Sequence, residues 1–202
     1  EGLTDSETDL LYHSATVLRM AQVRESSYWV RSESDRDTPR LIGIDDDYRF
    51  VEGEGEVREH TGAGAVLASL PPGEWAYPWV RDGAYAIVGL ADAGLHAEAR
   101  AAVQYYLDAS ANRYIDYGEL SEVPLLDYAL SLTRYHGFGI EESDTTCNGD
   151  LNFEWDGFGL WLWALRHYTE ASGDLSVADE AWARIKLQVA DVIIELVIDN
   201  GL

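Results

Sequence analysis

The sequence predicts an all-α fold, an arc of stacked helical hairpins forming part of an (α/α)6 toroid. Three observations carry that expectation. Two blocks share one plan, an Asp-Gly pair, a helix, a Gly turn and a second helix; they start at Asp82 and Asp156, 74 residues apart (156 − 82). Apolar residues elsewhere recur at helical rather than strand spacing. Antiparallel hairpins of this kind bury their apolar faces only against neighbours, and a ring is the closed solution. About three hairpins are legible, near half of a six-hairpin ring, so residues 1–202 read as one domain that covers about half of such a ring.

The elements follow in order. Thr4 to Arg24 reads as a helix: Thr4 and Glu7 have capping-box spacing, and Leu10, Leu11, Ser14, Val17, Leu18 and Ala21 share one stripe. Ser26 to Glu59 is polar and broken by Pro39, Gly43, Gly53 and Gly55. The stretch between residues 40 and 70 leaves room for a small β segment. Asp45, Asp46 and Asp47 lack the ligand periodicity of a calcium loop and read as a solvated turn. Pro71-Pro72-Gly73 enforces a loop. Asp82 is placed as the N-cap of a helix running to Ala93, Gly94 ends it, and a second helix spans Ala97 to Ala109. Ser121 to Tyr135 is expected as a further helix. Asp156 opens and caps a helix that ends at Gly173, and Ser176 starts the last one, to about Ile198.

Charge narrows the function classes. Asp and Glu outnumber Lys and Arg by 37 to 14, for a net charge of −23, and Lys186 is the sole lysine. No basic footprint for nucleic acid is present. With 7 Trp, 12 Tyr and 4 Phe the chain can bury a core. The expectation is therefore a folded halophilic protein whose acidic surface stays hydrated in high salt, where screening removes self-repulsion. The longest apolar run, Val189 to Ile198, is interrupted by Asp191 and Glu195 and is too short to span a bilayer, so no membrane partner is expected. No signal peptide is visible; placement in the cytoplasm or outside the cell, with a leader absent, stays open. Cys147 stands alone, which excludes a disulfide framework within the chain and a cysteine-rich metal site. No metal or cofactor is expected.

Trp75-Ala76-Tyr77-Pro78-Trp79-Val80-Arg81-Asp82-Gly83 carries the chemistry. Aromatic faces suit the C–H faces of a pyranose, and Arg and Asp supply charge-assisted hydrogen bonds that orient hydroxyls. A purely structural account is open as well, with Asp82 capping its helix, Arg81 paired to it and the tryptophans filling core. In the second block, Trp155 is placed to face sugar, Asp156 to cap, and Trp161 and Trp163 to fill core. His136, in Tyr135-His136-Gly137, reads as either pocket rim or structural histidine.

Trp79-x-Arg81-Asp82-Gly83, entered through aromatics and followed by an alanine-rich hairpin, resembles the first substrate-binding motif of glycoside hydrolase family 15, the glucoamylases, glucodextranases and some microbial trehalases. The stretch Asn148 to Gly159 resembles the family's next pocket motif, with Glu154 where Gln is frequent. The resemblance covers roughly Leu10 to Leu202. It implies the (α/α)6 toroid of the six-hairpin glycosidases and an α-glucan or glucoside substrate. It places Trp79, Arg81 and Asp82 at the non-reducing-end sugar, with Trp75, Tyr77, Trp155 and Asp156 as further substrate-binding residues. Trp75 stands where fungal relatives commonly have Tyr. Inverting hydrolysis needs an acid and a base about 6.5–9.5 Å apart. The resemblance implies that both lie beyond Leu202, in a remainder of the domain expected C-terminal to it. Glu119, Glu122, Glu141 and Glu142 sit in the wrong context for either role. The implied activity is an exo-acting α-glucosidase represented by its sugar-binding half. The alternative is a non-catalytic truncated or regulatory carbohydrate-binding protein on the same scaffold.

Overall fold

A computed structural model describes residues 2–24, 28–31, 57–60, 62–70, 75–111, 127–136, 139–142 and 153–200. The helices are α1 (Asp5–Ala21), α2 (Val80–Asp92), α3 (His96–Asp108), α4 (Asp156–Ser172), α5 (Ser176–Ile185) and α6 (Asp191–Asn200). A π-helical turn, Lys186–Ala190, joins α5 to α6, so one continuous rod follows Ser176, as expected. Two small antiparallel strand pairs also lie among the described residues. In the first, β1 (Tyr28–Arg31) pairs antiparallel with β2 (Val57–His60), Tyr28 opposite His60. In the second, β3 (Arg134–Tyr135) pairs with β4 (Glu141–Glu142). The β segment expected between residues 40 and 70 is thus β2, whose partner lies earlier in the chain. Asp45–Asp47 and Cys147 lie outside the described residues.

The helix boundaries follow local chemistry. Thr4 caps α1 through a complete capping box: its hydroxyl accepts from the Glu7 amide at 3.3 Å, and the Glu7 carboxylate accepts from the Thr4 amide at 2.8 Å. Gly94 (φ 73°) and Gly173 (φ 72°) adopt the left-handed conformation that ends α2 and α4. The two hairpins, α2–α3 and α4–α5, lie side by side. Arg81 meets Asp156 at the start of α2 and α4, Tyr85 meets Trp163 a turn further on, and Asp92 meets His167 near the end, so α2 and α4 run parallel. Arg100 reaches Asp174 and Ser176, and Arg184 donates to the Leu107 carbonyl, so α3 and α5 also run parallel. Parallel helices in two rows, each hairpin antiparallel within itself, are successive units of an (α/α) toroid.

Between the hairpins lies a core of Ile87, Leu90, Val103, Tyr105, Tyr106, Phe158, Trp161 and Tyr168. Burial of this apolar surface is the main stabilising term. α1 joins through Leu18 and Ala21, approaching α2 where Gly89 leaves room; a Cβ there would lie 3.1 Å from Leu18 Cδ1. Gln22 ties the end of α1 to α3 by donating to the Glu98 carbonyl at 2.8 Å.

Three expectations are corrected. The helix expected over Ser121–Tyr135 is absent from its described part: residues 127–133 are irregular and Arg134–Tyr135 is a strand. There the backbone amides find other acceptors. Ala129 donates to the Gln188 carbonyl, Ser131 to the Tyr135 hydroxyl and Leu132 to the Glu141 carboxylate. A helix is not needed to satisfy them. Neither Asp82 nor Asp156 is an N-cap; those positions are Trp79 and Trp155, and no side chain caps either helix. The aspartates stand inside the first turn, where a carboxylate still favours the positive end of the helix dipole. Of the two tryptophans expected in the core, Trp161 is fully buried but Trp163 is 42% exposed, because its position on α4 faces outward beside Tyr85.

Candidate functional site

Three chain segments converge at the N-terminal ends of α2 and α4: the aromatic arm 75–82, the β3–β4 hairpin, and residues 153–156. Backbone pairing joins them. Trp79 bridges to Arg134, the Tyr135 amide donates to the Pro78 carbonyl at 2.9 Å, and the Glu154 amide donates to the Leu132 carbonyl at 2.7 Å. The arm is therefore clamped to the hairpin, and the hairpin to the start of α4.

Arg81 is the charged centre. Its Nη1 lies 2.9 Å from Glu154 Oε2 and 3.4 Å from Asp156 Oδ2, and its side chain is 39% exposed. Burial works against the guanidinium charge, but the Glu154 and Asp156 carboxylates more than offset it and raise its pKa. This links the two Asp-Gly blocks directly. The pairing of Arg81 with Asp82 that a purely structural account requires is not made; the partners come from the other block. Glu154, whose role the motif comparison leaves open, is the nearer of the two.

The aromatic residues divide by exposure. Trp75 is 62% exposed, Tyr77 is half-buried, and Trp79 is buried. Their rings touch in series: Trp75 to Trp79 at 5.8 Å between centroids, Tyr77 to Trp79 at 5.9 Å edge-on, and Tyr77 to His136 at 6.0 Å. His136 is itself buried, so it backs Tyr77 rather than standing on the rim. The Trp79 carbonyl accepts from the Tyr106 hydroxyl at 2.8 Å and from the Gly83 amide at 3.0 Å. Trp155 is half-buried and stacks on Phe153 at 5.7 Å.

Asp82 is exposed and borders a groove of about 230 Å³ formed with Leu18, Val66, Leu67, Ala68, Tyr85 and Ala86. It lies close enough to Tyr106 that its charge, after burial, helps to push that hydroxyl far above its ordinary pKa. The structure thus brings Arg81, Glu154 and Asp156 into one cluster and sets Asp82 beside a groove of its own.

Sequence reasoning missed Arg134 and Glu142. Arg134 on β3 is paired to Glu142 on β4, and both side chains are largely buried. Its guanidinium also covers Tyr77 and Trp79, with Cζ 4.5 and 5.0 Å from the ring centroids. The signal in sequence was a basic residue next to an aromatic pair, Arg134-Tyr135-His136, which carries no mark of which arm it will pack on. Glu141 accepts from the Tyr128 hydroxyl at 3.0 Å and the Leu132 amide at 2.8 Å, a buried carboxylate engaged in holding the hairpin. Among the described residues no group of three or more His, Cys, Asp or Glu could hold a metal ion, and no described helix is long and apolar enough to cross a membrane.

A solved structure of a glycosidase is similar to this chain. The TM-score is 0.54 at 22% identity, over 93% of this chain and 42% of that one. The chain therefore has an all-α, glycosidase-like fold and spans less than half the length of that relative. No family model and no curated protein matches the sequence.

Proposed function

We propose that this chain is the sugar-gripping part of an exo-acting, inverting α-glucosidase of the glucoamylase or glucodextranase type, acting on an α-glucan or glucoside. The observation that carries the reading is the cluster at the head of α2 and α4. There Arg81 is held at 2.9 and 3.4 Å by Glu154 and Asp156, at the inner end of the aromatic arm whose outer member, Trp75, is exposed. A guanidinium oriented by two carboxylates and an exposed indole on the same arm supply what a terminal pyranose needs: ring on aromatic, hydroxyls on charged groups. Arg81 and Asp156 orient hydroxyls, Trp75, Tyr77 and Trp155 form the aromatic wall with the buried Trp79 as its backing, and Asp82 offers a further hydroxyl partner over its own groove. The reacting carboxyl pair belongs to the remainder of the same helical ring. The glycosidase-like fold, which in the similar structure is longer than this chain, supports that assignment.

Titration of tryptophan fluorescence with maltose and isomaltose tests this reading. Saturable binding by the chain, lost in Arg81→Ala, is expected; an unchanged affinity in that variant overturns it. A second reading, sugar binding without turnover, draws support from Glu141 and Glu142, both committed to the hairpin. Release of glucose by the 202-residue chain, measured by a coupled assay, would exclude it and would also remove the placement of the reacting carboxyl pair outside residues 1–202. The net charge of −23 with a single lysine supports a halophilic protein. Thermal melts at rising salt are expected to show a climbing Tm, and full stability in dilute buffer would remove the claim.

A further inference from the structure

Arg134 is unusual in being held from four sides. Its carboxylate partner is Glu142, on the neighbouring strand; its guanidinium covers two rings, those of Tyr77 and Trp79; and its backbone is bridged to Trp79. The side chain is only 13% exposed and that of Glu142 16%, so the pair is poorly screened by solvent or salt. A cation over an aromatic face contributes about 0.5–2 kcal/mol depending on desolvation, and here one cation serves two faces. The two rings it covers are the inner members of the aromatic arm, and Trp75, the exposed member, packs on Trp79 in turn. The carbonyl of Trp79 is already fixed by Tyr106 and Gly83. What its backbone does not settle is the rotation of the ring, which rests on its neighbours: the guanidinium, Tyr77 and Trp75.

We propose that Arg134, held by Glu142, is a positioning residue for the sugar site: it fixes the Tyr77 and Trp79 rings, and through Trp79 the exposed Trp75 face, without touching the sugar. The proposal rests on the sugar-binding reading above for its functional consequence, but its structural half stands apart from it. Loss of Arg134 removes the contact shared by the two rings and weakens the support beneath Trp75, so the binding face is present but misaimed. The requirement is for a flat cation that can lie on two rings while pairing with a carboxylate. Lysine, a point charge, reaches one ring at a time.

Two readouts on the full chain test it, circular dichroism across the far-UV tryptophan band and maltose titration. Trp75 and Trp79, 5.8 Å apart with planes at 47°, are placed for exciton coupling, so their fixed geometry has a spectroscopic signature. Arg134→Met is expected to diminish that couplet and weaken maltose binding by about tenfold, while Arg134→Lys recovers part of both. Glu142→Gln, which keeps the cation over the rings but frees its charge, is expected to give a smaller loss of each; it also serves if Arg134→Met fails to fold. A folded Arg134→Met variant with an unchanged couplet overturns the proposal. So does a lost couplet with unchanged maltose affinity. If the parent chain binds no maltose while the couplet still follows the Arg134 series, the sugar reading has failed and the positioning of the rings has not.

Discussion

α2 and α4 begin with the same dipeptide, yet the two glycines face different neighbours. A Cβ on Gly83 would lie 1.7 Å from the Tyr106 hydroxyl oxygen and 2.6 Å from its ring carbon. A Cβ on Gly157 would lie 3.0 and 3.2 Å from two carbons of Val80. Tyr106 is wholly buried between Tyr105 and Tyr135 and hydrogen-bonded to Trp79, so it has nowhere to go. Val80, an aliphatic residue at the first position of α2, needs to give by only a few tenths of an ångström. Asp-Gly is therefore not one device used twice. At α2 the glycine admits a tyrosine that locks the aromatic arm to the core; at α4 it lets two parallel helices approach. Nor do the aspartates act alike: Asp156 meets Arg81, and Asp82 stands over the groove.

The largest expected effect follows from that contrast. Gly83→Ala should cost about 3 kcal/mol, at the upper end of overpacking, and should weaken sugar binding by displacing Trp79. Urea denaturation measures the first and fluorescence titration the second; a loss no larger than that of Gly157→Ala breaks the comparison. Gly157→Ala itself should cost about 1 kcal/mol. Combining it with Val80→Ala should cost less than the sum of the two single changes, since the smaller side chain returns the space; strict additivity would refute the contact.

α5 gives a further contrast, because at its head a carboxylate does accept from a backbone amide. Asp174 accepts from the Tyr168 hydroxyl at 2.6 Å and from the Ser176 amide at 2.9 Å, with Arg100 3.3 Å away. These bonds, that of Tyr168 foremost, hold its carboxyl well below the ordinary value. A depressed pKa contributes stability that is whole above the unfolded-state value, about 4, and is lost as pH falls through the folded value. Asp174→Asn should therefore lower Tm at neutral pH, and the gap from the parent should close progressively below about pH 4. A gap that stays constant to pH 2 would remove the ionised carboxylate as its cause. Smallest of all, Asp82→Ala and Asp156→Ala should each cost no more than about 0.5 kcal/mol, the share of a first-turn charge and an exposed pair. A loss above 1 kcal/mol would restore one of them as a cap.

Much of the fold could be read along the chain. Thr4 and Glu7 announce α1, Gly94 and Gly173 end α2 and α4, and alanine-rich or apolar-periodic stretches fill the helices between. These are local signals, set by backbone geometry and capping within a few residues. Residues 127–135 depart from the expected helix because their amides find acceptors outside the helical ladder, in the distant Gln188 carbonyl and in the side chains of Tyr135 and Glu141. The site was legible in part. Arg81, Asp82 and the aromatic arm stand together in one segment, and their residue types point to sugar. That Arg81 turns to Glu154 and Asp156, and that Arg134 covers Tyr77 and Trp79, depends on which loops meet.

Helical hairpins, their glycine ends, the acidic composition and the aromatic segment follow from the order of residues alone, because each rests on periodicity, composition or neighbours within a turn. Long-range packing is what buries Trp79 and exposes Trp75, seats a tyrosine against Gly83 and a valine against Gly157, and sets Arg134 behind the arm. Those outcomes depend on close approach and charge pairing between segments far apart in the chain, and no local pattern encodes which segments will meet.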